Sequence, residues 1–70
     1  MQSKLLLTRK NHHETQEYLA QLLGITTQAY RYKENGLSEF KLNEMFILAD
    51  HYGMTTDQLF SYRKSTQNVN

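Results

Sequence analysis

Seventy residues allow one domain with a small core, since a chain of this size buries only about 60% of the surface its unfolded form exposes. The absence of cysteine excludes disulfide stapling and suits a cytoplasmic address, and no apolar run approaches the ~20 residues of a membrane helix. Net charge is only +1, but residues 1–36 hold five basic against three acidic side chains, residues 37–60 one against four, and residues 61–70 two basic and no acidic ones.

Along the chain, Met1-Gln2-Ser3-Lys4-Leu5-Leu6-Leu7 has too short an apolar stretch for a signal peptide, and no targeting segment is expected. There is no proline, and Gly24, Gly36 and Gly53 each follow an apolar-periodic segment, where helices stop. A first helix is predicted from about Ser3 to Asn11, with Leu5 and Leu6 inward. A second starts after Thr15, a good N-cap, with Glu17 near its positive end and Leu19, Ala20 and Leu23 as its buried stripe. Thr26 caps a third that runs to about Asn35 and turns Tyr30 inward. Residues 36–40 form a connection anchored by Phe40.

A fourth helix is predicted from Leu42 to Tyr52, with Leu42, Met45, Leu48, Ala49 and Tyr52 at spacings of three and four. Thr55 with Gln58 reads as a capping box that opens a short fifth helix burying Leu59 and Phe60. The expected organisation is one all-α, five-helix domain over residues 1–62 and a polar tail over 63–70. No strand alternation and no internal repeat competes with it.

The segment from Thr15 to Gly36 carries the motif. Two helices that cross closely need a small residue in the first, and Ala20 supplies it. Their turn needs a residue tolerant of positive φ, and Gly24 supplies that. Ile25 and Tyr30 provide the apolar residues that close the corner. The outward side of the second helix of the pair is rich in Thr, Gln, Arg and Tyr, groups that can read base edges or hold phosphates. This pattern is that of a helix-turn-helix with one helix in the DNA major groove. The mildly basic first half of the chain is the side expected to face DNA.

On Thr15-Gln16-Glu17, Leu19-Ala20, Leu23-Gly24-Ile25-Thr26, Gln28 and Glu34-Asn35-Gly36, the chain resembles the phage repressor and Cro-type helix-turn-helix proteins, the XRE family. Leu48-Ala49, Tyr52-Gly53-Met54 and Asp57-Gln58-Leu59-Phe60 resemble that family's closing helices, so the likeness spans about residues 4–60. Tyr30-Arg31-Tyr32-Lys33-Glu34-Asn35-Gly36 with Phe40 looks most like small versions from phages and mobile elements of low-GC Gram-positive bacteria.

The resemblance implies a lambda-repressor-like domain whose second and third helices form the helix-turn-helix. It also implies a DNA-facing set of Gln16, Thr26, Thr27, Gln28, Arg31, Tyr32, Lys33 and Asn35. Within that set Gln16 and Asn35 approach phosphates, while Thr27 and Gln28 meet bases. Arg31 and Tyr32 meet bases or backbone. Arg9 and Glu34 match a structural salt bridge between the first and third helices. Lys33 departs from the family, where a large apolar residue is common. Its stem is expected along the core edge and its amine in solvent or on phosphate.

By chemistry, Gln28 can pair bidentately with adenine and Arg31 with guanine. The implied partner is a double-stranded DNA operator bound by a two-fold dimer. Leu22, Phe46 and Ile47, apolar beyond what the core needs, are the expected dimer contacts. No cofactor, metal, small-molecule ligand or membrane partner is expected. His12, His13 and His51 read as solvated helix-end residues, because adjacent histidines on a helix diverge by about 100° and no cysteine completes a site. Without a nucleophile elbow, a phosphate-cradling glycine loop or a convincing acid–base pair, an enzyme is not expected. The competing expectation is a protein-interaction module, such as an antitoxin-like or antirepressor helical domain.

Overall fold

In a computed structural model, residues 2–60 are described. They form α1 (Ser3–Asn11), α2 (Gln16–Leu23), α3 (Thr27–Glu34), α4 (Leu42–Tyr52) and α5 (Thr56–Phe60), with no strand among the described residues. The expected domain limit at residue 62 and the tail 63–70 lie outside the described residues.

Three threonines set helix starts. The hydroxyls of Thr15, Thr26 and Thr55 each accept, at 3.0 Å, the backbone N–H three residues on, from Tyr18, Ala29 and Gln58. Gln58 reciprocates by accepting from the Thr55 N–H at 2.9 Å, which completes a capping box. At α4 the same half of that device is supplied by Glu44, whose Oε1 accepts from the Lys41 N–H at 2.8 Å.

Helix ends share one geometry. Past α2, the Ile25 N–H donates to the Ala20 carbonyl and the Gly24 N–H to that of Gln21. This paired pattern repeats after α1 (Glu14 to Arg9, His13 to Lys10), α3 (Leu37 to Tyr32, Gly36 to Lys33) and α4 (Met54 to Ala49, Gly53 to Asp50). It requires a left-handed residue, and at Gly24 (φ +72°) that is met without a Cβ penalty. At α1 the left-handed position is His13, with φ +57°. The glycine rule therefore finds three of these four stops and misses the first.

The core joins Leu5, Leu19, Ala20, Tyr30, Met45, Leu48, Ala49, Leu59 and Phe60, with Leu23, Ile25, Phe40, Tyr52 and Met54 packed at its margin. Phe40 anchors the connection between α3 and α4 by edge-on contact with both Tyr30 and Phe60. Two expected inward residues are placed differently. Leu42 is 65% exposed, because the inward place in the first turn of α4 is taken by Glu44. Leu6 is only half-buried, and α1 instead buries Leu5 with Thr8 and Arg9. Among the described residues no helix is long and apolar enough to cross a membrane.

Candidate nucleic-acid interface

α2 and α3 pack directly on each other. Ala20 lies buried between them with no side chain beyond Cβ to hold them apart, and the left-handed Gly24 turns the chain from one into the other. Tyr30 and Glu34, one turn apart on α3, are both buried and fix which side of that helix faces the core. The opposite side is thereby presented outward. Gln28, Arg31, Tyr32 and Asn35 are exposed, and Thr27 is half-exposed at the helix start.

Glu34 is the centre of the arrangement. Its side chain is 1% exposed, and Arg9 meets it with a two-pronged contact, Nε to Oε2 at 3.0 Å and Nη2 to Oε1 at 3.2 Å. The Tyr30 hydroxyl donates to Oε2 at 2.7 Å and Gln16 Nε2 to Oε1 at 2.9 Å. Arg9 Nη1 donates onward to the Glu14 carbonyl. Burial pushes the Glu34 carboxyl up, but the hydrogen bonds from Arg9, Gln16 and Tyr30 and the charge of Arg9 hold it below its ordinary value. Burial and the Glu34 carboxylate both push the Tyr30 hydroxyl up, so it remains a donor. One buried carboxylate thus ties α1, α2 and α3 together. Because Gln16 also accepts from Arg31 Nε at 3.5 Å, the network continues to the outward face.

The other expected DNA-facing residues divide by environment. Thr26 is exposed, but its hydroxyl is engaged as the cap of α3. Gln28 Nε2 donates to the Tyr32 hydroxyl at 2.7 Å, an exposed contact across one helical turn. Lys33 requires correction. Its ammonium lies 2.6 Å from Glu44 Oε1, with both side chains nearly buried. The stem does run along the core edge, but the charge turns inward to a carboxylate rather than outward to solvent or phosphate. Glu44 supplies the reason. Burial raises its carboxyl, yet Lys33 and the Lys41 N–H hold it below its ordinary value, so an anion waits there for a cation.

Sequence reasoning missed Glu44, although a glutamate three residues past a helix start is a capping signal. It also missed a cluster behind the interface. Tyr52 Oη donates to Glu14 Oε1 at 2.7 Å, and His51 Nε2 lies 2.9 Å from Glu14 Oε2. His12 Nδ1 lies 2.9 Å from the Thr8 carbonyl, and its ring packs against Tyr52. Two of the histidines are therefore hydrogen-bonded members of a cluster joining the α1–α2 turn to α4, not simply solvated ends. Leu22, Phe46 and Ile47 are 38%, 55% and 38% exposed. Phe46 and Ile47 border an open groove with Ala49, Asp50 and Met54.

Two helices closed on a small residue and a left-handed turn, with the second one's polar face outward, constitute a helix-turn-helix. The helix-turn-helix family matches residues 7–59, from within α1 to within α5, and the chain belongs to that family. The crystal structure of a transcriptional regulator from Listeria innocua has the same fold, with a TM-score of 0.82 at 23% sequence identity. The match covers 94% of this chain and 62% of that one, so the chain spans under two thirds of that protein's length. No curated protein matches the chain by sequence.

Proposed function

We propose that this protein is a sequence-specific double-stranded DNA-binding transcription regulator of the phage repressor or Cro type, with α3 as the helix that enters the major groove. The observation that carries this reading is the division of α3. Tyr30 and Glu34 lock one side into the core, which leaves Gln28, Arg31, Tyr32 and Asn35 on the other, exposed and rich in donors and acceptors, with half-exposed Thr27 at the helix start. Gln16 stands at the N-terminus of α2 beside Arg31, where a phosphate can accept from both. Thr26 flanks the same face. A module of this size covers one half-site, so the working unit is a two-fold dimer on a near-palindromic operator, with half-sites about 34 Å apart. Leu22, Phe46 and Ile47 are the residues proposed to join the copies.

Selection of bound duplexes from a random pool tests the reading. The expected result is a near-palindromic preferred site whose binding weakens steeply with salt. Binding without sequence preference refutes it. A second reading rests on the exposed apolar side chains of α4, namely Leu42, Phe46 and Ile47. In that reading α4 docks another protein, and a stable hetero-complex without DNA binding is the outcome that favours it.

A further inference from the structure

The contact between Gln28 and Tyr32 does more than decorate the surface of α3. A glutamine amide at the start of a helix is free to rotate, and each rotation offers a different order of donor and acceptor to a base edge. Here Nε2 donates one of its two hydrogens to Tyr32 Oη at 2.7 Å, from the residue one turn further along. The amide then retains one acceptor, Oε1, and one free N–H. That pair complements adenine, which offers the N6 amino donor beside the N7 acceptor. It opposes guanine, which offers two acceptors, O6 and N7. Tyr32 is 43% exposed and stands outside the core, so its contact with Gln28 lies at the surface.

From this geometry we infer that Tyr32 is the positioning residue that fixes the Gln28 amide and thereby sets a preference for adenine over guanine at the base pair that Gln28 meets. The inference rests on the DNA-reading function proposed above. Tyr32 acts through Gln28: its hydroxyl oxygen accepts from the amide and keeps its own proton for other acceptors. Gln28 acts as reader only while its rotation is restrained.

The test compares wild type, Tyr32→Phe and Gln28→Ala in quantitative binding to a duplex library at one salt concentration. Gln28→Ala identifies the base pair concerned. Tyr32→Phe is expected to lower adenine-over-guanine preference at that same pair by about three- to tenfold. Preferences elsewhere and the salt slope are expected to hold. In the free protein, the Gln28 side-chain amide resonances are expected to shift in Tyr32→Phe while the backbone spectrum of the core stays in place, which separates positioning from folding. An unchanged preference at that pair overturns the inference. So does a uniform loss across all sequences with a shallower salt slope, which would make Tyr32 a phosphate contact instead. If wild type selects a site but Gln28→Ala alters no position, this inference fails and the DNA-reading function stands. If wild type selects no site, both fail.

Discussion

Glu34 is the residue on which the orientation of α3 turns. It is fully enclosed and receives Arg9, Gln16 and Tyr30 together. Removing one partner of an enclosed ion pair leaves the other charge without compensation, so Glu34→Gln is expected to destabilise the fold by about 3–5 kcal/mol in urea titration. The pH dependence follows with a definite sign. For Glu34, Glu14 and Glu44, burial acts upward but hydrogen bonds from their partners prevail, and all three carboxyls sit below their ordinary value of 4.5 when folded. The unfolded chain therefore binds their protons first as pH falls. The stability they supply is complete above about pH 4.5 and is lost as pH drops through their folded values. Thermal melts between pH 7 and 3 are expected to show Tm falling in the acid range, with a shallower fall in Glu34→Gln. On the outward side, Gln28→Ala is expected to relax base preference at one or two positions, each by a discrimination of about 1–3 kcal/mol, read by site selection. The carboxylate partners were legible to different degrees. Arg9 and Glu34 are 25 residues apart in sequence, and only resemblance to a family joined them. Nothing in local periodicity linked Glu14 to His51 and Tyr52, because that contact exists only once α4 has folded back on the α1–α2 turn.

At the scale of elements, local chemistry explains why so much of the fold could be read in advance. Threonine caps and glycine stops act within five residues of one another, so Thr15, Thr26, Gly24 and Gly53 declare helix ends without tertiary information. Leu42 and Lys33 were misread for the opposite reason. Their placement depends on Glu44, which occupies an inward position that periodicity reserves for apolar residues. Although α1 ends at Asn11 as expected, its stop carries no glycine signal, since a histidine occupies its left-handed position. A residue with a Cβ is strained there by roughly 1–2 kcal/mol, and His13→Gly relieves that strain at some cost in unfolded-chain entropy. It is expected to raise stability by up to about 1 kcal/mol in chemical denaturation. Gly24→Ala is expected to lower it by about 1 kcal/mol. No atom lies within 4 Å of the added methyl, so backbone conformation alone accounts for that loss.

At the scale of the molecule, the core gathers Leu5 from α1, Leu19 from α2 and Leu59 and Phe60 from α5, while large apolar side chains stay exposed on α1 (Leu7), on α2 (Tyr18 and Leu22) and on the outer side of α4 (Phe46 and Ile47). If two copies join through that side, Phe46→Glu places two like charges near a shared axis. The expected outcome is a monomer in sedimentation at micromolar concentration, with an unchanged circular dichroism spectrum and a smaller gain in affinity than wild type shows on going from a one-half-site to a two-half-site duplex. A dimer that survives Phe46→Glu moves the interface elsewhere. The surplus of apolar residues on α4 can be counted in the sequence, but what covers them cannot.

Glu44 Oε1 receives the ammonium of Lys33 from the end of α3 and the N–H of Lys41 at the beginning of α4. A single oxygen atom therefore joins the end of α3 to the start of α4. Residues 35–39 are exposed throughout, yet the N–H groups of Gly36 and Leu37 are spent on the last carbonyls of α3. Side chains at Ser38 and Glu39 can therefore change while α3 stays fastened to α4, whereas loss of one carboxylate would release the charge of Lys33 and the start of α4 together.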